Sequence, residues 1–248
     1  MAELTFKRYE KKYLLNDEQY KMLREKTADF MTVDKYGEHT ICNIYYDTED
    51  DELIRASIEK PKYKEKLRLR SYGVPKEDDT VFLEIKKKYD GIVYKRREQI
   101  TCADAETLIR NGEMIKYDSQ IFREIEYFLT VHKVVTKLYL AYDRIAMFGT
   151  EQPELRITFD KNIRSRRDDL DLTAGDRGEM LFDDDMHLME LKAPGVIPLR
   201  LVRILSEMEI YPVSFSKYGS VYKKSLENQK HIYLLNSEKT ILNSAINY

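Results

Sequence analysis

The stretch from Lys66 to Arg97 alternates with a period of two and loads like charges onto one face. In Lys66-Leu67-Arg68-Leu69-Arg70 the three basic residues fall on one side and the two leucines on the other, because successive side chains of a strand point to opposite faces. After a Gly/Pro/Asp turn, Val81 to Lys88 repeats the pattern: Glu84, Lys86 and Lys88 face together, with Leu83 and Ile85 opposed. Asp90-Gly91 then leads into Ile92-Val93-Tyr94-Lys95-Arg96-Arg97. This is the periodicity of half-buried strands. Like charges facing one another across a sheet repel unless an anion sits among them, so the pattern predicts a sheet or barrel wall whose charged face binds a polyanion. The competing reading is a Lys/Arg-rich solvated face of an antiparallel meander.

Charge balance decides what kind of polyanion. Charged residues make up 35% of the 248-residue chain, yet the formal net charge is only -2, which argues against a nucleic-acid binder with a broad basic exterior. The acidic runs Glu77-Asp78-Asp79, Asp168-Asp169 and Asp183-Asp184-Asp185 fall in expected turns, a segregation that favours an enclosed basic cavity. Cys42 and Cys102 are the only cysteines, so neither a disulfide framework nor a thiolate metal cluster is expected, and a reducing cytoplasm fits. The opening Met1-Ala2-Glu3-Leu4 is not a signal peptide, and no stretch reaches the roughly 20 apolar residues of a membrane span.

Along the chain, Thr5 to Leu14 reads as a strand with Arg8, Glu10 and Lys12 on one face. Asn16 or Asp17 then caps a helix to about Phe30. Ile41 to Tyr46 is a strand candidate, Glu49 to Ser57 is helical or turn-like, Cys102 to Asn111 reads as a short helix ending at Gly112, and Ser119 to Val131 as a helix with Ile121, Phe122, Ile125 and Phe128 on one side. Thr136 to Phe148 predicts a long strand placing Leu138, Leu140, Tyr142 and Arg144 together. In Leu155 to Asp160 the residues Arg156, Thr158 and Asp160 share a face, and in His187 to Lys192 Glu190 and Lys192 do. A helix is expected from about Leu199 to Met208, a compact loop over Ser214 to Gly219, and a C-terminal helix at about 220–242. Without a linker or repeat, residues 1–248 read as one domain.

A sheet that closes can pack helices outside and line a cavity inside. Unpaired charges in a dry core cost several kcal/mol each, so the interior is expected to be wet and filled by ligand. Arg68, Arg70, Arg144 and Arg156 offer planar forks for phosphate oxygens, and Lys12, Lys86 and Lys95 supply mobile point charges. Arg8, Lys66, Lys88, Arg97 and Lys192 join the candidate phosphate-binding set. A linear phosphate chain matches cations from many strands better than a single phosphate does. Glu84 and Glu190, with Glu10 as a third, are candidate hard-oxygen ligands for a Mg2+ or Mn2+ ion bridging phosphate oxygens; the other reading is Glu/Lys ion pairing between strands. No P-loop is present, and His39, His132, His187 and His231 lack metal-ligand spacing.

Together, Glu10-Lys11-Lys12-Tyr13, Tyr45-Tyr46-Asp47-Thr48, Lys66 to Arg70, Phe82-Leu83-Glu84-Ile85-Lys86, Tyr142-Asp143-Arg144, Arg156 to Asp160, Met189-Glu190-Leu191-Lys192 and Ser214 to Tyr218 form an ordered set spanning about residues 5 to 220. This set resembles the VTC domain of polyphosphate polymerases, within the triphosphate tunnel or CYTH-like superfamily. The resemblance implies an α+β fold: an antiparallel β-barrel tunnel flanked by helices. It also implies transfer of the terminal phosphoryl group of ATP to a growing inorganic polyphosphate chain, releasing ADP, with Mn2+ or Mg2+. Carried over, Lys12, Arg68, Arg70, Lys86, Lys95, Arg144 and Lys217 would bind or polarise phosphates, Tyr142 and Ser216 would position them, and Glu190 would hold metal. The chain looks like a free-standing bacterial-type version without membrane modules. Its first strand also resembles that of tunnel triphosphatases, so hydrolysis of tripolyphosphate is an enzyme alternative, and binding of polyphosphate without turnover is a third.

Overall fold

A computed structural model of the chain describes residues 8–90, 92–111, 117, 119–182 and 185–230. Among these described residues nine strands form one antiparallel sheet: β1 (Arg8–Leu15), β2 (Met31–Asp47), β3 (Tyr63–Tyr72), β4 (Thr80–Tyr89), β5 (Ile92–Thr101), β6 (Val135–Gly149), β7 (Arg156–Arg166), β8 (Glu179–Met180) and β9 (His187–Pro194). The strand order is β1-β9-β7-β6-β2-β3-β4-β5, with β8 added at β7. The path ends at β1 and β5, so among the described residues the tunnel is a curled sheet and not a barrel closed by backbone hydrogen bonds. Between those ends the segment after β9 helps: Val213 bridges to Lys12, and Ser216 reaches toward Lys66 of β3.

The helices form where the sequence supplies caps and apolar stripes. Helix α1 (Asp17–Thr27) opens with a reciprocal capping box, in which the Asn16 side chain accepts from the Gln19 N–H at 2.8 Å and the Gln19 side chain accepts from the Asn16 N–H at 3.2 Å. That arrangement satisfies two first-turn donors. Helix α4 (Gln120–His132) is capped by Ser119 and buries Phe122, Ile125 and Phe128, spaced to share a face. Helix α2 (Glu52–Glu59) is held to the end of β2 by Asp47, whose carboxylate accepts from the N–H groups of Thr48, Leu53 and Ile54 at 2.8–2.9 Å. Helix α3 (Cys102–Glu106) passes into a π-helical turn, Thr107–Asn111, where one continuous short helix was expected. Helix α5 (Leu199–Glu207) follows the Pro194–Pro198 loop.

Two apolar layers cover the outer face of the sheet. Leu67, Leu69, Leu83 and Ile85 pack with Phe122, Ile125 and Phe128 of α4. On the other half, Tyr13, Ile157, Phe159, Met189 and Leu191 pack with Leu23 of α1 and Leu201 and Leu205 of α5. Burying the outer face in this way turns the charged residues of the same strands inward. Both cysteines are buried and free.

Two further expectations change. β2 begins at Met31, ten residues before the expected Ile41, because Val33 and Glu38 fall out of register and hide the alternation. The last helix, α6 (217–230), starts inside the expected loop; residues 231–242 of the expected helix lie outside the described residues, as do Gly91, Asp183 and Asp184. Helix α6 lies against the inner face of the sheet. Its Tyr218, Val221 and Tyr222 pack with Ile54 of α2 onto Ile41, Tyr45, Leu138, Leu140, Tyr142 and Leu188, making an apolar floor at one end of the inner face.

Candidate functional site

Strand register gathers the candidate cations onto one surface. Residues directly opposite in a sheet share a face. The pairs Glu10–Lys192, Lys12–Glu190, Arg156–Lys192, Arg144–Asp160, Arg68–Glu84, Lys66–Lys86, Lys86–Lys95 and Arg97–Glu84 therefore link β1, β9, β7, β6, β3, β4 and β5 through a common inner wall. Arg70 and Lys88 follow on the same face by alternation, and Tyr142 lies opposite Ile41 of β2. Arg8 occupies the first position of β1, opposite Pro194. Lys217 and Ser216 enter from the start of α6 instead of from a strand.

Two carboxylates organise the deepest cations. Glu84 is buried; its Oε2 accepts from the Arg68 guanidinium at 2.7 Å, and its Oε1 lies 3.0 Å from the Lys95 ammonium and 3.5 Å from Arg70. Burial pushes the Glu84 carboxyl up, but Arg68, Arg70 and Lys95 outweigh it and hold the pKa at about 2. With three cations on one carboxylate, Glu84 is an ion-pair centre, as in the second of the two readings given for it. Asp160, also buried, takes two parallel bonds from Arg144 and one from Lys217. Its pKa too falls: burial raises it, and Lys217 and Arg144 more than reverse that.

Other cations are less well compensated. Burial pushes Lys66 down to about 8, with Lys64, Lys86 and Lys12 adding repulsion. Burial also sets Lys95 at about 8 in spite of its bond to Glu84. Lys86 is exposed to water and is still held low, first by desolvation and then by Lys12 and Arg68. The attraction of Glu10 and Glu190 on Lys86 shows that β4 curls round to face β1 and β9. Arg156 and Arg97 lie at the exposed rim.

The segment before α6 crosses this passage. The Lys12 ammonium donates to the Phe215 carbonyl at 3.0 Å, Lys66 donates to the Ser216 hydroxyl at 3.5 Å, and Lys217 reaches Asp160. Tyr218 donates to Asp47 at 3.1 Å, so the carboxylate that starts α2 also seats α6.

The remaining candidate oxygen ligands, Glu190 and Glu10, lie away from Glu84, on β9 and β1. Glu190 lies 3.3 Å from Lys12 and 3.1 Å from Lys192, and its pKa sits well below normal because these and other cations overcome the effect of burial. Opposite it on β7, the Thr158 hydroxyl is buried without a hydrogen-bond partner. Glu10 lies diagonally across on the same face. Among the described residues no group of three or more His, Cys, Asp or Glu converges on one point. Glu190, Glu10 and the Thr158 hydroxyl are oxygens of the hard type that Mg2+ or Mn2+ takes.

Sequence reasoning missed Asp160, Asn43 and Tyr45 as members of the site. Asn43 accepts from Arg70 at 3.3 Å while donating to the Leu140 carbonyl at 3.0 Å, and Tyr45 accepts from Arg68 at 3.1 Å. The signal for Asp160 was its place on the face of Arg156 and Thr158. Asn43 and Tyr45 sit within an apolar run that gives no such cue.

The VTC domain family profile matches residues 7–226. Among solved structures, the chain is similar to a Hippeastrum protein described as a candidate adenylyl cyclase with a dominant triphosphatase activity, at 18% identity and a TM-score of 0.55, covering 88% of this chain and 96% of that one. It is also similar to a candidate adenylate cyclase from Bacillus halodurans, at 13% identity and a TM-score of 0.54, covering 84% and 92%. At these identities the likeness is one of fold. No curated protein matches the sequence significantly.

Proposed function

The chain belongs to the VTC domain family, and from that premise we propose that it is a polyphosphate polymerase, transferring the terminal phosphoryl group of ATP to a growing inorganic polyphosphate chain and releasing ADP. The observation that carries this reading is the inner wall itself: its cations outnumber the carboxylates Glu10, Glu84, Asp160 and Glu190, and Lys66, Lys86 and Lys95 are all held below the ordinary lysine value by burial and crowding. Such a wall is stabilised by a ligand with negative charge along its length.

Phosphoryl transfer asks little covalent chemistry of a protein; positioning and electrostatic stabilisation dominate. In this reading a terminal oxygen of the polyphosphate chain attacks the γ-phosphorus of ATP, the bond from that phosphorus to the β–γ bridging oxygen breaks, and ADP leaves with the electron pair. Arg68, Arg70, Arg144 and Lys217 are preset around Glu84 and Asp160, so they meet the developing charge without reorganising. Lys12, Lys66, Lys86 and Lys95 move with the chain, Arg8, Lys88, Arg97, Arg156 and Lys192 guide it at the ends, and Tyr142 and Ser216 orient it. Glu190, with Glu10 and the Thr158 hydroxyl, would hold Mn2+ or Mg2+, which supplies further charge neutralisation on phosphate oxygens.

The apolar floor under α6 favours a second reading. An apolar boundary on the inner face limits the charged path and suits a short substrate, and water in place of the chain terminus makes the same cradle a triphosphatase. Incubating the purified protein with labelled ATP and Mn2+, and resolving polymer, ADP and phosphate separately, decides. Polymer with matching ADP supports the polymerase; phosphate without polymer supports hydrolysis; polyphosphate affinity without metal-dependent turnover leaves a binding module.

A further inference from the structure

Next to the apolar floor, where Ile41 lies opposite Tyr72, a row of aromatic rings is left unused by phosphate binding. β2 leaves register with β6 between Val33 and Glu38. The looped-out residues turn through Asp34, whose carboxylate accepts from the Tyr36 N–H at 3.0 Å, and Gly37, which sits in the left-handed region at φ 60°. Bulges of this kind re-aim side chains beside sites. This one holds out Tyr36, 68% exposed, with its ring 6.4 Å from that of His39. His39 lies opposite Arg144 and 5.9 Å from the ring of Tyr72. Tyr72 follows Arg68 and Arg70 on the inner face of β3, meets Phe82 edge-on at 5.7 Å, and keeps 54% of its surface exposed. The Arg97 guanidinium, 4.7 Å from the Phe82 ring centre, ends the row.

An anion gains nothing from these rings, because the face of an aromatic ring is negative. A planar uncharged group does gain, since every nucleobase offers a π-face for stacking. We propose that Tyr72, flanked by His39 and Tyr36, is a nucleobase platform: the base of a nucleoside triphosphate stacks there while its phosphates run inward past Arg97 to Arg70 and Arg144. This inference rests on the phosphate-tunnel reading above and assigns which mouth admits the nucleotide. Stacking tolerates any base, so the platform selects nucleotides over inorganic tripolyphosphate without strong selection among bases.

The test is calorimetric titration in EDTA, which prevents turnover, of the unsubstituted chain, Tyr72→Ala and Tyr72→Phe with ATP and with tripolyphosphate. Removing the ring is expected to weaken ATP about ten-fold and tripolyphosphate less than two-fold, with the phenylalanine variant close to the original. The tripolyphosphate titration also reports whether the alanine variant is folded. In the unsubstituted chain, saturation-transfer NMR should reach the adenine protons. Equal losses for both ligands, an unchanged ATP affinity, or no transfer to adenine while tripolyphosphate binds would each overturn the platform alone. Failure of both ligands to bind the unsubstituted chain would overturn the tunnel reading with it.

Discussion

Arg144 and Asp160 face one another across β6 and β7, joined by parallel bonds of 2.6 Å and 2.8 Å, and Lys217 arrives on the same carboxylate from α6. One buried anion thus serves two cations from distant parts of the chain. Removing one member of a buried ion group typically costs about 3–5 kcal/mol, because the partners stay buried without compensation. Asp160→Asn should therefore lower stability by about that amount in urea unfolding. Tripolyphosphate should restore more stability to this variant than to the unsubstituted protein, since it supplies the missing negative charge. An equal gain in both proteins would show that Asp160 does not set the charge of the passage.

Glu84 makes the deep site sensitive to acid. Its folded pKa, about 2, lies below the ordinary carboxylate value, so the stability it contributes is fully present above about pH 4.5 and is lost as pH falls toward 2. For this buried group the contribution is on the order of 3 kcal/mol. Urea unfolding between pH 6 and pH 3 should show a smaller loss for Glu84→Gln than for the unsubstituted protein. Parallel losses would place the acid sensitivity elsewhere.

The alternation that reveals the wall is local, and the compensation inside it is not. Glu84, Lys86 and Lys88 opposite Leu83 and Ile85 can be read directly, because helix α4 covers one face of these strands and charged side chains line the other. The engagement of Glu84 by Lys95 and Arg70 depends on how β3, β4 and β5 register, which a single strand does not state. Asp160 likewise gains its role only when Lys217 returns from 57 positions later. The start of α6 is hidden for another reason: Ser214-Phe215-Ser216-Lys217-Tyr218-Gly219 has the composition of a loop. Yet the Ser216 hydroxyl accepts from the Gly219 N–H at 3.2 Å, and a Cβ on Gly219 would press on Ser216 at 3.2 Å. Glycine there serves a close approach inside a helix, where its usual meaning is a turn. The first half of β2 escaped because its bulge breaks the period of two.

Lys66 and Lys95, both at about 8, should make anion binding a proton-linked event. Near pH 8.5 each is largely neutral in the free protein, and a bound polyanion favours the charged form, so protons are taken up on binding. Calorimetric titration with tripolyphosphate in buffers of different ionisation enthalpy should show uptake at pH 8.5 that shrinks toward pH 7, where both lysines are already charged. Lys66→Met should remove part of the uptake. Heats independent of buffer at pH 8.5 would mean that these two ammonium groups do not face the ligand.

Glu190 separates binding from turnover. It faces Lys12 and the unpartnered Thr158 hydroxyl and lies diagonally from Glu10, a set of hard oxygens beside the phosphate path. If Glu190 holds the divalent cation, Glu190→Gln should cut Mn2+-dependent turnover at least about 100-fold, the scale of losing one electrostatic contact made in the transition state. In EDTA the same substitution should leave tripolyphosphate affinity unchanged or tighter, because a negative charge has left the wall and Lys12 and Lys192 are released toward the ligand. Measuring both on one preparation distinguishes metal ligand, counterion and structural support as roles for this carboxylate. A variant that turns over normally but binds more tightly identifies Glu190 as a counterion only, whereas one that loses affinity and turnover together identifies it as a support for the shape of β9.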